Sequence, residues 1–249
     1  MRVAIAGLIA ALGAGGSHAA EVLVGVAANF AEVVEQMRPG FERSSGHTLV
    51  VMGGSTGQLY AQIRRGAPVH VLLAADRATA ERLEADGLAV AGTRFTYALG
   101  RLALWSRSAG YFDAGAVAVL QTGRFRHLAL ANPELAPYGA AAREVLRATG
   151  TWDSLQSKLV FGQNVAQAHS MIASGNAELG LVALSLLKGP QAIGAGSVWE
   201  VPGTLHAPVR QDAVLLRRGA ANPAARAFLE ALKAPPARVL IESRGYGLE

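Results

Sequence analysis

The 249-residue chain contains no cysteine. Disulfides, thiolate catalysis, cysteine-built zinc sites and anchoring through a lipidated N-terminal cysteine are therefore excluded. Charge is also scarce: 16% of residues are Asp, Glu, Lys or Arg, against about 25% in an average domain. Apolar residues reach 51%, too many for a disordered chain. The net charge of +5 comes from scattered basic residues, and no basic run exceeds the pairs Arg64-Arg65 and Arg217-Arg218. With no basic helix and no aromatic platform, no nucleic-acid partner is expected. The six histidines (18, 47, 70, 127, 169 and 206) form no HxH or HxxxH pair, so no resident metal cation is expected.

What is present begins with an address. Residues 1–20 read MRVAIAGLIAALGAGGSHAA. One positive residue, Arg2, precedes an apolar run and a cluster of small residues, the three parts of a secretory signal peptide. The run is too short for a membrane span, which needs about 20 apolar residues. Cleavage is expected near Ala20, giving an exported, periplasmic protein.

After residue 20, short apolar runs alternate with amphipathic stretches. Strands are expected over 22–27, 48–52 and 69–74, with helices over 30–43, 58–65 and 79–86 between and after them. A long extended run covers 95–106. The alternation then restarts, with strands at 127–131, 158–161 and 179–184 and helices at 139–148 and 165–174. Two strands, 198–201 and 209–216, precede a helical tail over 223–243 broken at Pro235-Pro236. Such β-α-β order implies mostly parallel sheets covered by helices. The duplication predicts an α/β protein of two lobes: 21–95 plus about 210–249, and 96–209. Two extended segments serve as hinge crossovers.

Ligands of open α/β sheets bind beyond the carboxyl ends of the strands. Four strand-to-helix junctions here carry small or polar residues: Ala28-Asn29, the run Gly53-Gly54-Ser55-Thr56-Gly57, Pro137-Tyr138-Gly139, and Gln163-Asn164-Val165. A helix N-terminus offers unpaired N–H groups and about half a positive charge, so four of them can hold one anion without Lys or Arg. Two fall in each half, as a cleft between lobes requires. The bland alternatives are a capping box from Asn29 to Glu32 and a tight glycine turn.

Gly53-x-Ser55-x-Gly57 also matches the nucleophile elbow of α/β-hydrolases. An exported serine esterase is thus a second reading, with Asp153 and His169 or His206, or Asp113 and His127, completing a triad. Against it, no HGGG-type oxyanion motif is present. The absence of Gly-Lys-Ser/Thr after the glycines excludes a phosphate loop.

From residue 21 onward the chain resembles the periplasmic molybdate-binding proteins of ABC transporters. The resemblance is carried by VAANF (26–30), GGSTGQLYAQIRRGAPVHVLLAAD (53–76), RFTYALGRLALWS (94–106), ALANPELAPYG (131–139), VAQAHSMIASGNAELGLVAL (165–184) and GYGL (245–248). It implies a two-lobed, type II-like periplasmic binding protein, an α/β fold with two hinge crossovers and no cofactor. It implies molybdate or tungstate as ligand, a membrane permease as partner, a monomer, and no enzymatic activity; sulfate or another tetrahedral oxyanion is the alternative ligand. The donors it implies are the Ala28 backbone N–H, the Asn29 side-chain amide, the Ser55 and Thr56 hydroxyls, and the backbone N–H groups of Tyr138 and Val165. Many family members place a Tyr just after the GLV strand; here that position is Ala183. Asp76 is expected to cap a helix, and Trp105 and Trp199 to pack near the hinge.

Overall fold

A computed structural model describes residues 19–189 and 196–249. The expected signal segment lies outside them except for its last two residues. The first half runs β1 (Glu21–Ala27), α1 (Ala31–Ser45), β2 (Thr48–Gly54), α2 (Thr56–Arg64), β3 (Val71–Leu73), α3 (Arg77–Ala85) and β4 (Phe95–Gly100). The second runs β5 (Leu102–Ser106), α4 (Ala116–Thr122), β6 (Leu128–Ala131), α5 (Pro137–Ala148), α6 (Trp152–Leu155), β7 (Leu159–Gly162), α7 (Val165–Ala173), β8 (Leu179–Ala183) and β9 (Ser197–Glu200). The chain ends in β10 (Val209–Leu215), α8 (Pro223–Lys233) and α9 (Pro235–Ser243).

These elements build two five-stranded sheets, ordered β2-β1-β3-β10-β4 and β7-β6-β8-β5-β9. In the first, β1 pairs in parallel with β2 and β3, while β10 is antiparallel to β3 and β4. In the second, β6 pairs in parallel with β7 and β8, and β5 is antiparallel to β8 and β9. Each sheet is thus a parallel βαβ core extended by one reversed strand, β10 or β5, with β4 or β9 at the edge beyond it. The apolar run 95–106 reads as one extended segment but forms two strands in different sheets. The chain changes sheet at Arg101 and returns between Glu200 and Val209.

Burial explains the continuous apolar runs. Val22, Val24 and Val26 of β1, and Leu102, Ala103 and Leu104 of β5, are fully buried because helices cover both faces. The first lobe's core is aromatic: Phe30 lies 4.6 Å from Tyr97 and 5.4 Å from Tyr246, ring centre to ring centre, and Phe41 meets Phe228 edge-on. In the second, Trp105 stacks on His169 at 4.7 Å, the packing role expected of it. The C-terminal GYGL segment bridges back to β4 through Leu99 and Gly247, which places the Tyr246 ring under the first turn of α1. Helix α8 ends at Ala234 because Pro235 cannot continue it but can start α9.

Candidate functional site

The carboxyl ends of β1 and β2 face those of β6 and β7, so the four junctions meet. Between them lies a narrow cavity of about 10 Å³, lined from the first lobe by Ala27, Ala28, Asn29, Gly54, Ser55, Thr56 and Ala75. Ala136, Pro137, Tyr138, Asn164 and Val165 line it from the second. All six residues singled out from sequence border this one space, and among the described residues no charged side chain does. Ala183 is buried in the second lobe's core and is not among the lining residues. A larger cleft shares Ala75, Ala136 and Pro137 with the cavity and opens beside it between the lobes.

Two donors differ from expectation. The Ala28 N–H does not face the cavity; it donates to Gly54 O at 2.9 Å, because the parallel ladder of β1 and β2 continues one residue past the strand. The Asn29 N–H beside it has no protein acceptor among the described residues. The Asn29 side-chain amide points inward and donates to Gln211 Oε1 (2.8 Å) and Tyr246 Oη (3.0 Å). A buried amide takes the acceptors packed against it, and here those lie beneath the turn. Nor does Asn29 cap α1: the N-cap is Phe30, without a side-chain bond, and Glu32 faces Arg244.

Ser55 and Thr56 end β2 and open α2. Ser55 is the N-cap of a full capping box with Gln58, and its Oγ accepts the Gln58 N–H. Thr56 Oγ1 accepts the Ala75 N–H at 2.9 Å. Each hydroxyl oxygen is thus fixed by a backbone donor, which leaves its own hydrogen free to donate. The Tyr138 N–H lies in the first turn of α5, after Pro137. Val165 opens α7, whose N-cap Asn164 accepts the Gln167 N–H. Neither the Tyr138 nor the Val165 N–H has a protein acceptor among the described residues, as expected of first-turn groups. The cavity therefore presents the N–H groups of Asn29, Tyr138 and Val165, the two hydroxyls, and the positive ends of three helices. Such an arrangement can serve an anion that accepts hydrogen bonds at several corners.

The lobes touch around it. Gly57 N–H donates to Leu135 O (3.0 Å), Gln58 Nε2 to Gln163 Oε1 (2.7 Å), and Ser185 Oγ to Asn29 O (3.2 Å). Burial raises the pKa of the Tyr97, Tyr138 and Tyr246 phenols, so all three stay neutral. Asp76 caps α3 through the Thr79 N–H, and burial raises its carboxyl pKa.

The esterase triad does not assemble. Among the described residues, Ser55 bonds only Gln58 through its side chain, and no histidine lines the cavity. His169 lies against Trp105, and His206 faces the Ala207 carbonyl.

Two lobes closing on a neutral, donor-lined cavity define a solute-binding protein. A model of the bacterial extracellular solute-binding protein family matches residues 22–247, and the chain belongs to that family; it is a binding protein, not an enzyme. It is similar to the molybdate-binding protein ModA of Azotobacter vinelandii, with 49% identity over the whole of both chains. It is 44% identical to ModA of Rhodobacter capsulatus, over 93% of this chain and 90% of that one. Among solved structures, the A. vinelandii periplasmic molybdate-binding protein superposes with a TM-score of 0.86 at 40% identity, over 92% of this chain and 99% of that one. The sulfate-binding protein SubI of Mycobacterium tuberculosis H37Rv shares the fold alone, at 14% identity and a TM-score of 0.72 over 92% of this chain and 86% of that one.

Proposed function

We propose that this chain captures molybdate between its lobes outside the cytoplasmic membrane and delivers it to the permease of an ABC transporter. The observation that carries this reading is the cavity lined by uncharged donors, in a chain 49% identical to a molybdate-binding protein. Neutral dipoles hold a dianion without burying an opposing charge, whose desolvation is costly. Hydrogen bonds to a charged acceptor contribute roughly 1.5–3 kcal/mol each. The two lobes, divided at Arg101 and within 201–208, pivot about those segments, and the permease reads the closed form. Tungstate, of the same charge and shape, binds alike. The protein acts as a monomer, and cleavage after Ala20 leaves Glu21, the first residue of β1, at the mature N-terminus.

The test is a thermal-shift panel of oxyanions on the mature protein. Ligand at 100 times its Kd stabilises by about 2.7 kcal/mol, which raises the Tm by about 5–11 °C for a chain of this size. Molybdate and tungstate are expected to give that shift, sulfate less because its bonds are shorter, and phosphate none. Phosphate carries a proton near neutral pH, and no carboxylate lines the cavity to accept it. A panel led by phosphate, or one without any shift, sinks the reading.

Thr56→Val separates two roles of one hydroxyl. Valine keeps the shape but removes the donor, so molybdate binding is expected to weaken about 10- to 150-fold. It also leaves the Ala75 N–H unpaired, which lowers the ligand-free stability by about 1–3 kcal/mol. Calorimetry and denaturant melts read the two effects; unchanged affinity places Thr56 outside the anion's shell.

A further inference from the structure

Beneath the cavity lies a hydrogen-bonded cluster that joins the lobes. Its centre is Gln211 of β10, fully buried. Gln211 Oε1 accepts from Asn29 Nδ2 (2.8 Å) and from the Tyr97 hydroxyl (3.0 Å). Gln211 Nε2 donates to Tyr138 Oη, in the other lobe, at 3.3 Å. The backbone is shaped for this meeting. The ladder of β10 and β4 shifts register between Gln211, opposite Ala98, and Asp212, opposite Thr96. Tyr97 is left as the extra residue, and such bulges re-aim side chains next to sites. At Gly100 any Cβ would collide with Tyr138 Oη and stand 2.8 Å from Gln211 Nε2, so the glycine keeps the path between the lobes open.

Asn29 and Tyr138 each present a backbone N–H to the cavity, one from each lobe, and each sends its side chain to Gln211. We propose that Gln211 is a positioning residue for oxyanion capture: through the Asn29 amide and the Tyr138 phenol it fixes the distance between the two lobes' N–H donors in the closed form. Gln211 does not line the cavity and acts only through those two neighbours. The inference rests on the molybdate reading above.

The experiment measures molybdate affinity by calorimetry and release by stopped flow. The proteins are wild type, Gln211→Leu, Tyr138→Phe and the double variant. Each single change is expected to weaken binding about tenfold, mainly through faster release. Because both remove the same bond, the double variant is expected to bind no more than about threefold worse than the weaker single variant. Tyr138→Phe keeps the ring and the N–H, so it carries the test if leucine at 211 prevents folding. Gln211→Glu supplies a readout that simple scaffolding does not move. Neutral, the carboxyl can still donate to Tyr138; ionised, it cannot, and it repels the dianion. Burial raises its pKa toward the assay range, so this variant's affinity is expected to fall at least tenfold from pH 6 to 8.5 while that of wild type stays flat. Single variants within twofold of wild type, fully multiplicative losses in the double variant, or a flat Gln211→Glu profile would overturn the positioning role alone. A wild type that binds neither molybdate nor tungstate overturns the functional reading and this inference with it.

Discussion

Asn29→Asp is expected to weaken molybdate binding by about three orders of magnitude, far more than Asn29→Ala. The amide nitrogen donates to Gln211 Oε1 and Tyr246 Oη. A carboxylate cannot donate, so it faces the Gln211 carbonyl oxygen unpaired, a buried loss of about 1–3 kcal/mol. It also sets a negative charge beside a dianion. Two unit charges 4 Å apart at an effective dielectric constant of 20 repel by about 4 kcal/mol, so even a partly screened charge dominates. Alanine removes the two side-chain bonds but leaves the Asn29 backbone donor in place, and is expected to cost about tenfold. Calorimetry on the three proteins decides: an aspartate variant within tenfold of wild type would mean that the turn between β1 and α1 lies away from the anion.

The second large effect is expected at Gly57, the last residue of the Gly53–Gly57 junction. Gly57 sits in the first turn of α2, and its N–H reaches across the cleft to Leu135 O. A Cβ there would lie 2.9 Å from that oxygen and 3.3 Å from Leu135 Cα. Gly57→Leu therefore wedges the lobes apart. The open form does not suffer, because leucine is the better helix former by about 0.5–1 kcal/mol. The expected result is divided: a ligand-free Tm unchanged or raised, and molybdate affinity lower by at least about 100-fold, since apparent affinity falls with the fraction of molecules able to close. Small-angle scattering should show no compaction on adding molybdate. A Gly57→Leu protein that compacts and binds like wild type would remove this contact from the closing step.

The two halves and the four junctions were readable because their signals are local. Apolar periodicity, glycines and hydroxyls beside a strand end all lie within a few residues of one another. The cluster below the junctions was not. Asn29 meets Gln211 and Tyr246 across 182 and 217 residues of sequence, and nothing in the neighbourhood of either position marks the encounter. The split of the run 95–106 at Arg101 was hidden for a related reason: both strands are apolar, and Gly100 alone hints at the change of sheet. The family resemblance implies the Asn29 amide and the Ala28 N–H as donors; the sequence shows neither the distant partners of that amide nor the last ladder bond of β1.

The place of β10 in the first sheet bears on the order in which the molecule can form. This strand lies between β3 and β4, yet it is made of residues 209–215, after every strand of the second sheet. A chain threaded through a translocation channel from its N-terminus can finish the second lobe while the first still lacks an inner strand. The first lobe gains that strand only after residues 209–215 have emerged, and its Asn29 side chain gains one of its two acceptors later still, from Tyr246. A chain cut just before Gly245 would keep every strand of both sheets and yet hold its ligand poorly.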